Sequence, residues 1–254
     1  MLVNYEFDGT RRIFFEELFA EFEIIEDGPW YLEAGRMEMP FGEYNSNFVE
    51  DPLTEEIGET FDGGIILGIE NDLLELSLAG FKGDFRDSNF MAAINFSLND
   101  NLDTGIYFSD NIGESLEFRE IQRESLEEDE EGTLATHAVS GMGAFLAWDL
   151  EPFLIDIEFV SALSDFKAGL LDDDPRKPKA ANLEVAYARF DRWQFAARLE
   201  TSKHLPDGPK RQYGIAASYG FTENFVLTGN YLRAEFRDEP SKRNLIQFEL
   251  VFEF

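Results

Sequence analysis

Cysteine is absent from this chain of 254 residues, and histidine occurs only twice, at His137 and His204. The absence of thiols excludes a disulfide framework, a cysteine nucleophile and a thiolate metal site. The sequence also lacks a Gly-x-Ser-x-Gly motif and a phosphate-binding loop. We therefore predict no enzymatic activity, no cofactor and no bound metal. The alternative is a membrane-barrel enzyme, in which His204 is the one residue in a plausible place.

Positive charge is scarce. Asp and Glu number 52 against 21 Lys and Arg, which gives a formal net charge of −31. A chain of this sign repels the phosphate backbone of nucleic acids. We therefore exclude nucleic acid as a partner.

Long apolar runs are also missing. The longest, from Gly63 to Ile69, is far below the roughly 18 residues that a membrane-spanning helix needs. A membrane-spanning strand needs only about 9 to 11 residues with every second one apolar, so the mean hydropathy of −0.29 does not exclude an outer-membrane protein. The N-terminal "MLVNYEF" has no signal-peptide features. We expect a removed signal or a trimmed chain.

Alternation of apolar and polar side chains is the dominant pattern. It is visible in "RWQFAARLE", in "FLIDIEFV" and in the terminal "NLIQFELVFEF". Because neighbouring side chains of a strand point to opposite faces, each segment predicts a strand with one apolar and one polar face. The predicted strands, about 14, are residues 2–7, 12–26, 30–39, 60–70, 72–82, 89–98, 102–110, 134–149, 152–164, 180–190, 192–202, 211–221, 224–236 and 244–254.

The connections between these strands alternate strictly in length. Short turns at 26–29, 71–72, 99–101, 150–152, 191–192 and 222–224 alternate with long connections at 40–58, 83–88, 111–133, 165–179, 203–210 and 237–243. An antiparallel up-and-down barrel in the outer membrane has this pattern, with short turns on the periplasmic side. The aromatic residues Trp30, Trp148, Trp193, Phe221 and Phe225 lie beside short turns and predict an aromatic girdle there. A soluble sandwich or a closed soluble barrel is the alternative.

These observations predict an all-β protein: one antiparallel up-and-down transmembrane β-barrel domain, residues 1–254, in the bacterial outer membrane. Its expected partners are outer-membrane lipid and lipopolysaccharide. The terminal aromatic strand resembles the signal that the barrel-assembly machinery recognises, so that machinery is a further expected partner.

Three stretches carry a more specific resemblance: "YLEAGRMEMPFGEYNSNFVEDPLTEEIGET" (31–60), "FVSALSDF" with "PKAANLEVAY", and "TSKHLPDGPKRQYGIAASYGF" leading to the terminal strand. In order and spacing they resemble the Legionella-type siderophore porins, the LbtU family. Members of that family begin with further strands, so the chain looks N-terminally trimmed and a full-length protein could have about 16 strands. The resemblance implies an outer-membrane porin that imports an iron-siderophore complex. The alternative is a general, cation-preferring diffusion porin.

If the apolar face of each strand meets lipid, the polar face lines the lumen. The predicted lumen and selectivity residues are Glu17, Glu21, Glu33, Arg36, Glu75, Asp156, Glu158, Glu184, Arg198, Glu200 and Glu249. Carboxylates dominate this set, and carboxylate rings favour cations. The alternative is a structural role, with the carboxylates paired to Arg36, Arg198 and Arg233 across the barrel.

The long connections differ in charge. The connection at 111–133 contains the acidic run Glu124 to Gly132, which is typical of a mobile loop and could also attract divalent cations. The connection from Pro40 to Thr60 is long enough to fold into the lumen as a selectivity element. The last three long connections are basic, and their candidate ligands for a ferric siderophore or another small solute are Arg176, Lys177, Lys179, Lys203, Lys210, Arg211, Arg237, Lys242 and Arg243.

Overall fold

The computed structural model describes residues 2–6, 12–25, 28–129, 135–172, 174–190, 192–222, 224–237 and 242–252. The end of the last predicted strand, Glu253 and Phe254, lies outside them. The strands are β1 (Leu2–Glu6), β2 (Arg12–Glu23), β3 (Trp30–Glu38), β4 (Phe61–Glu70), β5 (Leu74–Lys82), β6 (Asn89–Asn99), β7 (Leu102–Ser109), β8 (Gly141–Leu150), β9 (Phe153–Ala162), β10 (Lys179–Phe190), β11 (Trp193–Lys203), β12 (Arg211–Thr222), β13 (Phe225–Glu235) and β14 (Arg243–Phe252).

The fourteen strands form one sheet in which each strand pairs with the next along the chain, from β1 to β14. The pairings are antiparallel throughout, as in β3 with β4 and β10 with β11. Short and long connections therefore fall at opposite rims. The predicted all-β, up-and-down barrel of about 14 strands is confirmed.

The two faces of the sheet differ sharply in polarity. On β11, Phe195 and Leu199 are exposed on the outer face, whereas Arg198 and Glu200 are buried on the inner face. Large apolar side chains remain exposed around the outer face, Ile215 at 64% and Phe248 at 75%. A continuous apolar surface of this kind is stable against lipid, and its polar inner face is typical of outer-membrane barrels.

Aromatic rings form a chain along the rim of the short turns. Trp193 lies 4.7 Å from Tyr219, which lies 4.9 Å from Phe221, and Phe221 lies 4.9 Å from Phe225. Phe225 in turn contacts Phe252 of β14. For Trp193, Phe221 and Phe225, the predicted position beside the short turns is confirmed.

Two predicted features differ from the structure. The long connection after β7 contains a helix, α2 (Leu116–Glu128), in place of a mobile loop, and β8 begins at Gly141 instead of residue 134. The helix forms because Phe118 packs against Phe166 at 5.3 Å and the Leu116 amide donates to the Glu59 carbonyl at 2.9 Å. The chain before β8 leaves the sheet because Val139 is buried and its carbonyl accepts from the Ile112 amide.

A short helix, α1 (Glu55–Gly58), lies in the connection between β3 and β4. Within the described ranges, no helix is both long enough and apolar enough to cross a membrane.

Candidate functional site: a segment folded across the barrel interior

The connection between β3 and β4, residues 39–60, folds into the barrel, and we call it the interior segment. Near its start, Gly42 has a φ of +108°, a conformation that residues with a Cβ rarely adopt. The Tyr44 ring lies against Gly42 and Gly58, where a Cβ would come within 2.0 Å of the ring or its hydroxyl oxygen. The two glycines therefore let Tyr44 join the start of the segment to its end.

Three inward carboxylates anchor this segment. Glu158 on β9 accepts from the Glu43 amide at 3.0 Å and from the Thr54 hydroxyl at 2.6 Å. Glu184 on β10 accepts from the Asn47 amide at 2.6 Å. Glu200 on β11 accepts from the Leu53 amide at 2.8 Å.

A buried arginine completes the anchor. The Arg198 Nε lies 2.9 Å from Glu184 and its Nη1 lies 3.8 Å from Glu200, with all three side chains fully buried. Nη1 also donates to the carbonyls of Glu50 at 2.7 Å and Asp51 at 3.3 Å. One guanidinium therefore neutralises two carboxylates of the barrel wall and holds the middle of the interior segment.

Apolar contacts reinforce the same wall. Phe48 packs on Ala186, Ala196 and Ala216, and the Arg198 guanidinium lies 4.3 Å from the centre of its ring. Small side chains on three adjacent strands leave the space that this ring fills. Further contacts reach β13 and β14, through the Val49 amide to Asn230 at 2.9 Å and through Gln247 to Glu50.

Toward the long-loop rim, the interior is filled by an apolar core. Phe41, Leu53 and Ile57 of the interior segment pack there with side chains from the barrel wall and from α2. Arg119 of α2 forms an ion pair with Asp62 on β4 at 3.0 Å, and Glu114 accepts from the amides of residues 84, 85 and 86. The long connections thus pack into a cap above the interior segment.

The interior that remains is acidic. A cavity of about 530 Å³ lies between the interior segment and the wall formed by β2 to β7. Its carboxylates are Glu21, Glu33, Glu38, Glu43, Glu70 and Glu75, and we call it the acidic vestibule. A second cavity of about 300 Å³ contains Asp100, Asp103, Asp149 and Asp156.

Ten of the eleven predicted lumen residues lie on the inner face, in four groups. Glu21, Glu33 and Glu75 line the acidic vestibule, Asp156 lines the second cavity, and Glu158, Glu184, Arg198 and Glu200 anchor the interior segment. Glu17 shares the inward parity of Glu21 on β2, and Glu249 on β14 pairs with the inward Thr228 of β13.

The prediction for Arg36 is wrong. Arg36 pairs with Leu18 and Gly63 on the outer face, whereas Glu33 pairs with Glu21 on the inner face. Residues three apart in a strand point to opposite faces, so both could not line the lumen. Arg233 likewise pairs with Tyr213 on the outer face, whereas Arg198 forms an ion pair with Glu184 inside the barrel.

The basic residues of the last three long connections lie at one part of the long-loop rim. Several begin or end strands instead of lying in loops: Lys179, Lys203, Arg211 and Arg243. Others make local contacts. Arg176 pairs with Asp172 at 2.8 Å, Lys242 pairs with Glu235, and the Arg237 guanidinium donates to the Ser202 carbonyl. Lys177 and Lys210 are exposed.

His204 lies among these cations, and its Nδ1 accepts from the Lys177 amide at 3.3 Å. Burial, together with Lys203, Arg176 and Arg237, lowers its pKa. His137 lies elsewhere, with its Nε2 3.2 Å from the Asp165 carbonyl. The two histidines are thus held in separate structural contacts.

The interior segment carries perturbed carboxyl groups. Burial raises the pKa of both Glu55 and Glu56, and with the neighbouring carboxylates, first Asp51 for Glu55 and first Glu117 for Glu56, it brings each to about 8. Burial and Glu158 also raise the pKa of Glu43. At neutral pH, Glu55 and Glu56 are therefore mostly protonated, which lets α1 pack against an acidic wall.

A fourteen-stranded barrel with a lipid-facing apolar surface, an aromatic rim and a loop folded inward defines the outer-membrane class of β-barrel proteins. The comparisons with known proteins agree on this fold.

No family model matches the chain. A UPF0422 protein of Coxiella burnetii is 28% identical over 196 residues, which are 71% of this chain and 41% of that protein. The chain thus spans about two fifths of the length of this relative. Two solved structures share the fold at low identity. Pseudomonas aeruginosa OccK10 (OpdN) has a TM-score of 0.56 at 10% identity, with 88% of this chain and 68% of that chain covered. Outer-membrane expressed OmpT of Vibrio cholerae has a TM-score of 0.53 at 9% identity, with 90% and 78% covered.

Proposed function

We propose that the protein is a channel of the bacterial outer membrane in which the interior segment restricts passage and the acidic vestibule favours cations. The observation that carries this proposal is the position of the interior segment, which is bound to β9–β14 while the acidic vestibule remains along β2–β7. A water-filled path lined by carboxylates concentrates cations and repels anions.

The test is planar-bilayer conductance of the refolded protein in asymmetric KCl. The wild type should give cation-selective steps, and Glu33→Gln with Glu75→Gln should move the reversal potential toward zero, because both side chains line the vestibule. Glu120→Gln is the matched control, since Glu120 is exposed on α2 and outside both cavities. Equal selectivity in all three proteins would contradict the role of the vestibule.

Import of an iron-siderophore complex is the more specific candidate. Two observations favour it: residues 31–60, which resemble the siderophore porins, contain the interior segment, and the basic residues at the long-loop rim can steer an anionic complex toward the barrel. A ferric carboxylate siderophore added on the long-loop side should then interrupt the current. Conductance steps that are unaffected by the ferric siderophore would favour general cation diffusion.

A further inference from the structure

The outer face of the barrel carries a cluster of cations at the long-loop rim. Its members are Lys179, Lys203, Arg211 and Arg233, one on each of the adjacent strands β10 to β13. Their register partners place them on the outer face: Lys179 is paired with Lys203, Arg211 with Thr201, and Arg233 with Tyr213. We call these four residues the basic band.

The spacing of the basic band is set by the sheet. Lys179 and Lys203 are directly opposite, and such pairs have Cβ atoms about 4.5–5.5 Å apart. Lys203 is diagonal to Arg211, and Arg211 is diagonal to Arg233, which places each pair about 7–8 Å apart. The four cations are therefore close enough together to bind one anionic group, or two anionic groups of the same molecule.

Within the described part of the chain, these four side chains form no ion pair with a carboxylate. The acidic neighbour on this face, Glu235, lies opposite Arg211 and near Arg233, and it is bound by Lys242. The Arg233 Nε is buried and has no hydrogen-bond partner in the same part of the chain. Like charges directly opposite in a sheet are unfavourable. In a chain with a net charge of −31, four clustered cations beside one carboxylate that Lys242 already binds point to an external anion.

An apolar groove lies below the basic band on the same wall. It has a volume of about 590 Å³, its floor is formed by Ala217 and Gly229, and its sides include Phe195 and Phe248. Ala217 pairs with both Phe195 and Gly229, and Gly229 pairs with Phe248, so the floor lies between two aromatic rings. Ile215 and Tyr231 connect the groove to the level of the band.

We infer that the basic band and the apolar groove together bind one phosphate-bearing lipid of the leaflet on the long-loop side. The cations take the phosphate groups and the groove takes an acyl chain. This inference rests on the membrane placement of the proposed function, but it concerns the outer wall and not the conducting interior. Along these strands the side chains change from cationic at the rim to apolar in the groove. A lipid has the same order, with its charged headgroup at one end and its acyl chain at the other.

The test is native mass spectrometry of the detergent-solubilised protein with diphosphorylated lipid A. Wild type should keep one lipid, and Lys179→Gln with Lys203→Gln and Arg211→Gln should lower the bound fraction at least tenfold. Lys82→Gln is the matched control, because Lys82 is exposed at the same rim on β5 and pairs with Asp87 at 3.4 Å. It should bind as wild type does.

A second variant tests the contribution of the groove to lipid binding independently of the charges. Ala217→Phe fills the floor of the groove and should weaken retention of lipid A while leaving the basic band intact. Equal retention by the triple variant and wild type, or equal retention of lipid A stripped of its phosphates, would overturn the inference. Displacement of the lipid by millimolar inorganic phosphate would also overturn it, by showing a site for the free anion. Bilayer conductance of Ala217→Phe separates the two proposals, because this change fills the groove on the outer wall and should leave conduction intact.

Discussion

Removal of the Arg198 guanidinium is the most informative change to the interior segment. Arg198→Ala deletes the ion pair with Glu184 at 2.9 Å and the hydrogen bonds to the carbonyls of Glu50 and Asp51. It also leaves Glu184 and Glu200 buried without their cation. Loss of one partner of a buried ion pair costs roughly 3–5 kcal/mol. Since each 1.4 kcal/mol is a factor of ten, we expect docking of the segment to weaken about 100- to 3000-fold.

Hydrogen exchange measures this directly. The amides of Asn47, Val49 and Leu53 donate to side chains of β10, β13 and β11 at 2.6, 2.9 and 2.8 Å, so their protection reports whether the segment is docked. In Arg198→Ala all three should exchange faster, and single-channel conductance should rise. Arg192→Ala, in the exposed turn before β11, is the control and should leave both unchanged. Unaltered protection of the three amides in Arg198→Ala would refute the anchoring role.

Two further predictions concern the same segment. The pKa values of Glu55 and Glu56, about 8 against an ordinary 4.5, are raised in the folded state. These two groups therefore contribute most to docking below about pH 4.5, and their contribution is lost as the pH rises through about 8. Hydrogen exchange of the segment should speed up across that window in wild type and not in Glu55→Gln with Glu56→Gln. Phe48→Ala should weaken docking by roughly 3 kcal/mol, as large-to-small changes in packed sites do, and faster exchange should follow. Phe90→Ala, on the exposed outer wall, should not change it.

The strands were predictable because their pattern is local. Every second residue of β9 or β11 meets lipid, so polarity alternates within a few residues and the sequence shows it directly. The prediction for Arg36 was wrong because the polarity of one residue does not show which face of a strand it occupies. Its position three residues after the inward Glu33 places it on the opposite, outer face. Helix α2 was missed because its buried residues, Phe118, Arg119 and Gln122, are mostly polar. Its stability comes from contacts with α1 and the connection at residue 166, which are distant in sequence.

The role of the lumen carboxylates could be predicted only in part. Glu33 and Glu184 look alike in the sequence, since both are inward acidic residues of amphipathic strands. Their roles diverge because the interior segment lies against β10 and not against β3. The partners of Glu184 are an amide and a side chain from Asn47, which is 137 residues away, and an arginine on the neighbouring strand. Contacts of that range leave no local signal in the sequence.

This asymmetry has a consequence for passage through the barrel. Along β9–β11, the carboxylates Glu158, Glu184 and Glu200 are occupied by amides, hydroxyls and Arg198. Along β2–β5, Glu21, Glu33 and Glu75 face a cavity. In the channel that we propose, a permeating cation meets the vestibule carboxylates beside β2–β5, with the interior segment on the opposite side. The aspartates of the second cavity add counter-charges beside β7–β9. In that proposal, selectivity depends on how far the interior segment stays docked, so the anchor at Arg198 and the acidic vestibule act together.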